Sequence, residues 1–157
     1  MGMVVKGEYM TSLAMHFALD PILTLDKKLV RQKNGKLLID VQGELKIMLE
    51  ESCFFHEPSL ALLELGVNLK KWRTRDTEAA ESFYYFTMEH DEREGPILAF
   101  IKKGENEWQL FSIWHKFEHQ ETISLDVLLR AVNQYLSELE ELLMNRFRIR
   151  YSDFLKF

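Results

Sequence analysis

The hydrophobic pattern changes period several times along this chain, and each change predicts an element. Residues 12–19 alternate loosely between apolar and polar, which predicts a strand. Asp20-Pro21 ends it, because a residue before proline is pushed away from helical geometry. Leu23, Leu25 and Leu29 follow without a clear period. Asn34-Gly35 is the best hairpin signal, since both residues tolerate positive φ. Residues 37–50 then alternate, with Leu37, Ile39 and Val41 before Gly43 and Leu45, Ile47 and Leu49 after it. A glycine inside such a run predicts a bulge or a tight turn between strands.

The period then lengthens. Glu57-Pro58-Ser59 predicts a helix start, because proline's missing N–H has no intrahelical partner in the first turn. Leu62, Leu65, Leu69 and Trp72 recur on one helical stripe, widened by Leu60, Leu63 and Val67. Lys70, Lys71 and Arg73 suit the negative end of that helix. Three strands with short turns are predicted next, over 83–89, 96–102 and 107–117, forming an antiparallel meander. The last has apolar side chains on both faces, which predicts a strand covered on both sides. Ser124 predicts the cap of a long helix with a stripe of Leu125, Leu129, Val132, Leu136, Leu139 and Leu143. In the tail, Arg146, Arg148 and Arg150 alternate with Phe147, Ile149 and Tyr151, the pattern of a strand with one basic face. A continuing helix is the alternative for that tail. The sum is a single α+β domain over 1–157: an antiparallel sheet of about five to seven strands, packed by two main helices near 58–73 and 124–145.

Composition limits the function. At 157 residues the chain can bury a core without staples. A single cysteine, Cys53, excludes an internal disulfide and a thiolate metal cluster. No basic start leads into an apolar export segment, so the expected location is the cytoplasm. No apolar run approaches a membrane span. The net charge of −5 disfavours general nucleic-acid binding. Charge is nevertheless unevenly spread. Residues 76–94 hold seven acids against Arg93, while 27–36 hold five bases and no acid. Residues 146–157 hold four bases against Asp153.

Candidate chemistry is sparse. The seven glycines are isolated, so there is no phosphate loop and no nucleophile elbow. His115 and His119 have metal-ligand spacing only on a helix, and they fall at a strand end and a loop. Cys53 beside Phe54 and Phe55 reads as a small core residue. Glu57 and Glu64, seven apart, would share a helix face, and a buried Glu64 would have the raised pKa of a general acid or base. No pocket is legible around them. No catalytic residue, metal or cofactor is expected.

The segment from Leu37 through Trp72 resembles small bacterial immunity proteins that neutralise polymorphic toxins. Its carriers are Glu57-Pro58-Ser59, Leu62-Leu63-Glu64-Leu65 and Leu69-Lys70-Lys71-Trp72, after a strand pair and before a strand run and a C-terminal helix. The resemblance covers about a quarter of the residues and implies a non-enzymatic inhibitor of a basic toxin domain. Acidic loops speed encounter with such a partner. The candidate contacts are Asp91, Glu92 and Glu94 in one loop and Glu105 and Glu107 at the next turn. Alternate turns of a meander lie at opposite ends, so two separate patches are expected. Neither nucleic acid nor membrane is an expected partner, and a monomer and a homodimer both stay open. The alternative reading is a small-molecule-binding or regulatory domain with an aromatic pocket from Phe83, Tyr85, Trp108 and Trp114.

Overall fold

A computed structural model describes residues 12–73, 81–87 and 92–157. Among these, six strands form two separate three-stranded antiparallel sheets, joined by four α-helices. The class is α+β, but the single larger sheet expected from the sequence does not form. Two of the four helices are short.

The first sheet has the order β1 (Leu13–Leu19), β2 (Gln42–Leu49), β3 (Ser52–Ala61). Register sets Met15 opposite Ile47, Phe17 opposite Leu45 and Leu19 opposite Gly43. Partners across a ladder share a face, so this set forms the core side. The outer side carries the half-exposed His56 and Glu44, with Nε2 and Oε2 2.6 Å apart.

No hairpin forms at Asn34-Gly35. Helix α1 (Lys27–Gln32) is capped by Asp26, whose carboxylate accepts the N–H groups of Lys28 and Leu29. Lys33, with φ of 51°, turns the chain left-handed and ends α1. The short α2 (Leu37–Asp40) follows, burying Leu37 and Leu38. Leu37, Leu38 and Val41 are thus buried at helical spacing, and the alternation read over 37–41 belongs to no strand.

Pro58 lies within β3 rather than at a helix start. Gly43 pairs with Leu60 and Leu45 with Glu57, so Pro58 sits at a register shift on an edge strand. A bulge on an edge is one of the few places in a sheet that fits a residue without an N–H. Helix α3 (Leu62–Arg73) starts four residues later than read, and Glu64 and Gly66 are buried with its leucines.

The second sheet has the order β4 (Phe83–Tyr85), β5 (Leu98–Gly104), β6 (Glu107–Phe111). Strand β6 stops at Phe111, and a turn places the Ser112 carbonyl against the His115 N–H. The chain then returns along β6, where Trp108 and Ile123 exchange two backbone hydrogen bonds of 2.8 Å.

Helix α4 (Leu125–Phe147) starts at Ser124, which accepts the Val127 N–H. It packs on β1, α3 and β6. Tyr135 Oη donates to the Leu62 carbonyl at 2.9 Å, and Tyr151 Oη donates to the Leu136 carbonyl at 2.8 Å. The tail is neither strand nor continuing helix. Arg148, with φ of 60°, ends α4, and residues 151–153 form a single 3-10 turn. One apolar core runs from Met15 through both sheets and helices to Phe154. Among the described residues no helix is long and apolar enough to cross a membrane.

Candidate functional site

The proposed acidic contacts separate as a meander requires. Asp91 lies outside the described residues. Glu92 and Glu94 occupy an exposed 3-10 turn before β5, Glu105 lies in the turn after it and Glu107 opens β6. The length of β5 sets the groups roughly 20 Å apart. Glu92 lines a cleft of about 320 Å³ with Glu64, Asn68, Lys71 and Thr87. Glu105 and Glu107 sit at the other end, beside the start of α4, because Asn106 Oδ1 accepts the Leu125 N–H at 2.9 Å.

At that end the fold adds acids that the sequence reading did not select. Glu50, from the β2–β3 turn, faces Glu118 and Glu121 across a cleft of about 260 Å³ that Leu49, Ser52, Phe117 and His119 also line. The pairing of Trp108 with Ile123 sets Glu121 roughly 10 Å along the sheet from Glu107. Glu50, Glu51, Glu105, Glu107, Glu118 and Glu121 form no ion pair among the described residues. The acidic pairs at 50–51 and 118–121 are visible in the sequence, but their approach depends on the segment after β6 packing on Phe54 of β3, where the Lys116 N–H donates to the Phe54 carbonyl at 2.8 Å.

His119 forms one wall of this cleft. It is 7 % exposed, and its Nδ1 accepts the Leu110 N–H at 3.0 Å. Gln109 holds the His119 carbonyl. Because Nδ1 accepts, the neutral ring carries its proton on Nε2, and that buried atom has no hydrogen-bond partner. In an imidazole Nε2 points away from whatever Nδ1 faces, here away from β6. Burial pushes the ring's pKa down, against a smaller opposing pull from Glu121, so the ring stays neutral. A metal ion would need a lone pair on Nε2, which this tautomer lacks. Sealed from solvent, the Nε2–H is a buried donor without a partner, and the cleft surface is formed by the acidic rim.

The other candidates resolve into structural roles. Glu64 is 4 % exposed and accepts the Tyr85 hydroxyl at 2.8 Å. Burial, and next the Glu64 charge, push the Tyr85 pKa far up, so the phenol remains a donor. Glu57 lies on β3 opposite Leu45, so it shares no helix face with Glu64. Among the described residues no histidine lines the Glu64 cleft. His115 donates from Nδ1 to the Ser112 carbonyl and stacks on Phe54 at 6.1 Å. Cys53 is half-buried with its thiol near the Phe55 carbonyl. No group of three or more metal-ligating side chains occurs among the described residues. The four residues of the aromatic alternative have different surroundings. Phe83 and Trp108 pack on Trp72 at 5.7 and 5.9 Å, Tyr85 turns to Glu64, and Trp114 is 44 % exposed.

The model of one family, described as a domain of unknown function (DUF7878), matches residues 15–145. No curated protein and no solved structure matches the chain.

Proposed function

The chain therefore belongs to the DUF7878 family, and on that premise we propose that it is a non-enzymatic binding protein with a basic protein domain as its partner. The observation that carries the reading is the gathering, near the start of α4, of carboxylates that form no ion pair among the described residues, around a cleft that the buried His119 helps to line. Like-signed exposed charges with no internal cations cost self-repulsion and gain long-range attraction for a basic surface.

The more specific form of the proposal is an immunity protein that neutralises a cognate bacterial toxin in the cytoplasm. It rests on the likeness carried by Glu57 through Trp72. Such a protein needs no catalytic group, and Glu64 serves here as a buried acceptor for Tyr85.

The test begins with the tagged chain purified from its native host, with bound proteins identified by mass spectrometry. A basic toxin domain at equimolar ratio should appear, and one equivalent of pure chain should abolish its activity. Affinity should fall steeply with salt and drop further in Glu118→Lys with Glu121→Lys. Glu92→Lys with Glu94→Lys, on the far patch, should have a smaller effect. A bare, folded monomer would sink the proposal, as would a partner whose affinity ignores salt and the Glu118/Glu121 pair.

A further inference from the structure

The two basic blocks of the sequence, separated by more than a hundred residues, meet at the C-terminal end of α4. They enclose a groove of about 470 Å³, within the range of about 300–1,000 Å³ typical of ligand sites. Its apolar lining is Leu23, Leu25, Val30 and Phe147. Its charged lining is Lys27, Arg31, Arg146 and Arg148, and no acid lines it.

The rim is partly fixed in place. Arg146 donates to the carbonyls of Asp20 and Leu23 and lies 4.9 Å over the Phe147 ring. These contacts satisfy its donors without cancelling its charge. Lys27 and Arg31, one turn apart on α1, and Arg148 form no ion pair among the described residues. Beside the groove, the turn that closes Leu23 N–H onto the Asp20 carbonyl leaves Ile22 82 % exposed.

We infer that this groove is a second binding site, which takes an acidic peptide segment of a partner protein carrying apolar anchor residues. Charge complementarity selects the acid: unpaired cations surround the groove with no carboxylate among its lining residues. The same cations repel the matching end of a second copy, which argues against pairing of this end with itself. The apolar lining selects an anchor side chain over bare phosphate. Nucleic acid is disfavoured because the single aromatic ring, Phe147, is already covered by Arg146. A flat bilayer would meet Ile22 and the rim but leave the groove unfilled. The site lies a full helix length from the acidic cleft and stands independently of it.

Fluorescence anisotropy of the full chain with a fluorescein-labelled peptide of repeated Glu-Glu-Leu-Leu units tests this. The peptide should bind. Lys27→Glu with Arg31→Glu should weaken it roughly tenfold and flatten its salt dependence. Peptides with Ser in place of Leu, or Lys in place of Glu, should bind far more weakly. Circular dichroism checks the folding of the double variant, and the single Arg31→Gln, on an exposed side chain, supplies a second measurement of the same sign. The inference falls if the peptide does not bind, if the Ser peptide binds equally, or if neither variant changes affinity. It falls equally if phosphatidylserine vesicles or a single-stranded oligonucleotide bind through Lys27 and Arg31 while the peptide does not.

Discussion

Replacing Gly66 by alanine measures how tightly α3 is held against the C-terminal turn. Gly66 sits inside α3 and is buried. A methyl group there would lie 2.7 Å from Tyr151 Cε1 and 3.2 Å from both Cζ and Oη. Carbon pairs sit at about 3.5–4.0 Å, so the ring must retreat by about 1 Å. Retreat is opposed, because Tyr151 Oη donates to the Leu136 carbonyl and Tyr151 N–H donates to Glu140 Oε2, both at 2.8 Å. Overpacking of this kind costs about 1–3 kcal/mol, and a lost hydrogen bond costs about 1 kcal/mol more. Alanine's helix preference returns about 1 kcal/mol. The expected net effect is a loss of about 1–3 kcal/mol, or roughly 2–12 °C in Tm. Urea denaturation of Gly66→Ala measures it. The same substitution in a Tyr151→Leu background should be neutral or stabilising, because the ring is gone. A Gly66→Ala protein more stable than its parent would refute the reasoning, since helix preference would then outweigh the contact.

Other outcomes follow from the same structure. Trp72→Ala should cost about 3–5 kcal/mol in chemical denaturation, because Trp72 packs on Phe83, Phe100 and Trp108 and donates to the Glu81 carbonyl. A near-neutral value would remove it from the core. Folding holds the His119 pKa below that of the unfolded chain, so the unfolded state binds the extra proton first. Stability from this residue should be complete above about pH 6.5 and fall as pH drops through that value, by at most about 1.4 kcal/mol per pH unit. His119→Gln should show a shallower decline between pH 7.5 and 5.5, and parallel curves would contradict a neutral buried ring.

Legibility in the sequence followed how local each cause is. Helix α4 could be read almost to its ends, because a long stripe and the Ser124 cap are both local signals. Strand β1 was legible for the same reason. Four-residue α2 was not, since one turn has no period of its own and Leu37, Ile39 and Val41 imitate alternation. Pro58 misled because its place depends on a bulge against Gly43 and Leu45 in another strand. The arginine tail alternates only because a helix end, one left-handed residue and one extended residue follow each other. Among the described residues, Glu92, Glu94 and Glu105 were readable as turn residues. Glu50, Glu118 and Glu121 were not readable as neighbours, because the packing of the loop after β6 on Phe54 of β3 brings them together.

Helix α4 has one further consequence. Its 23 residues span about 34 Å, with carboxylates near its first turn and cations around its last that form no ion pairs among the described residues. Three or four charges of each sign across that span amount to a dipole moment of roughly 500 debye. It runs against the backbone's own macrodipole and exceeds it several-fold, while each charged end also stabilises the terminus beside it. A charged partner within about 8 Å, the reach left by physiological salt, would exert a torque on the whole molecule. The chain would be turned to present the matching end before any surfaces touch.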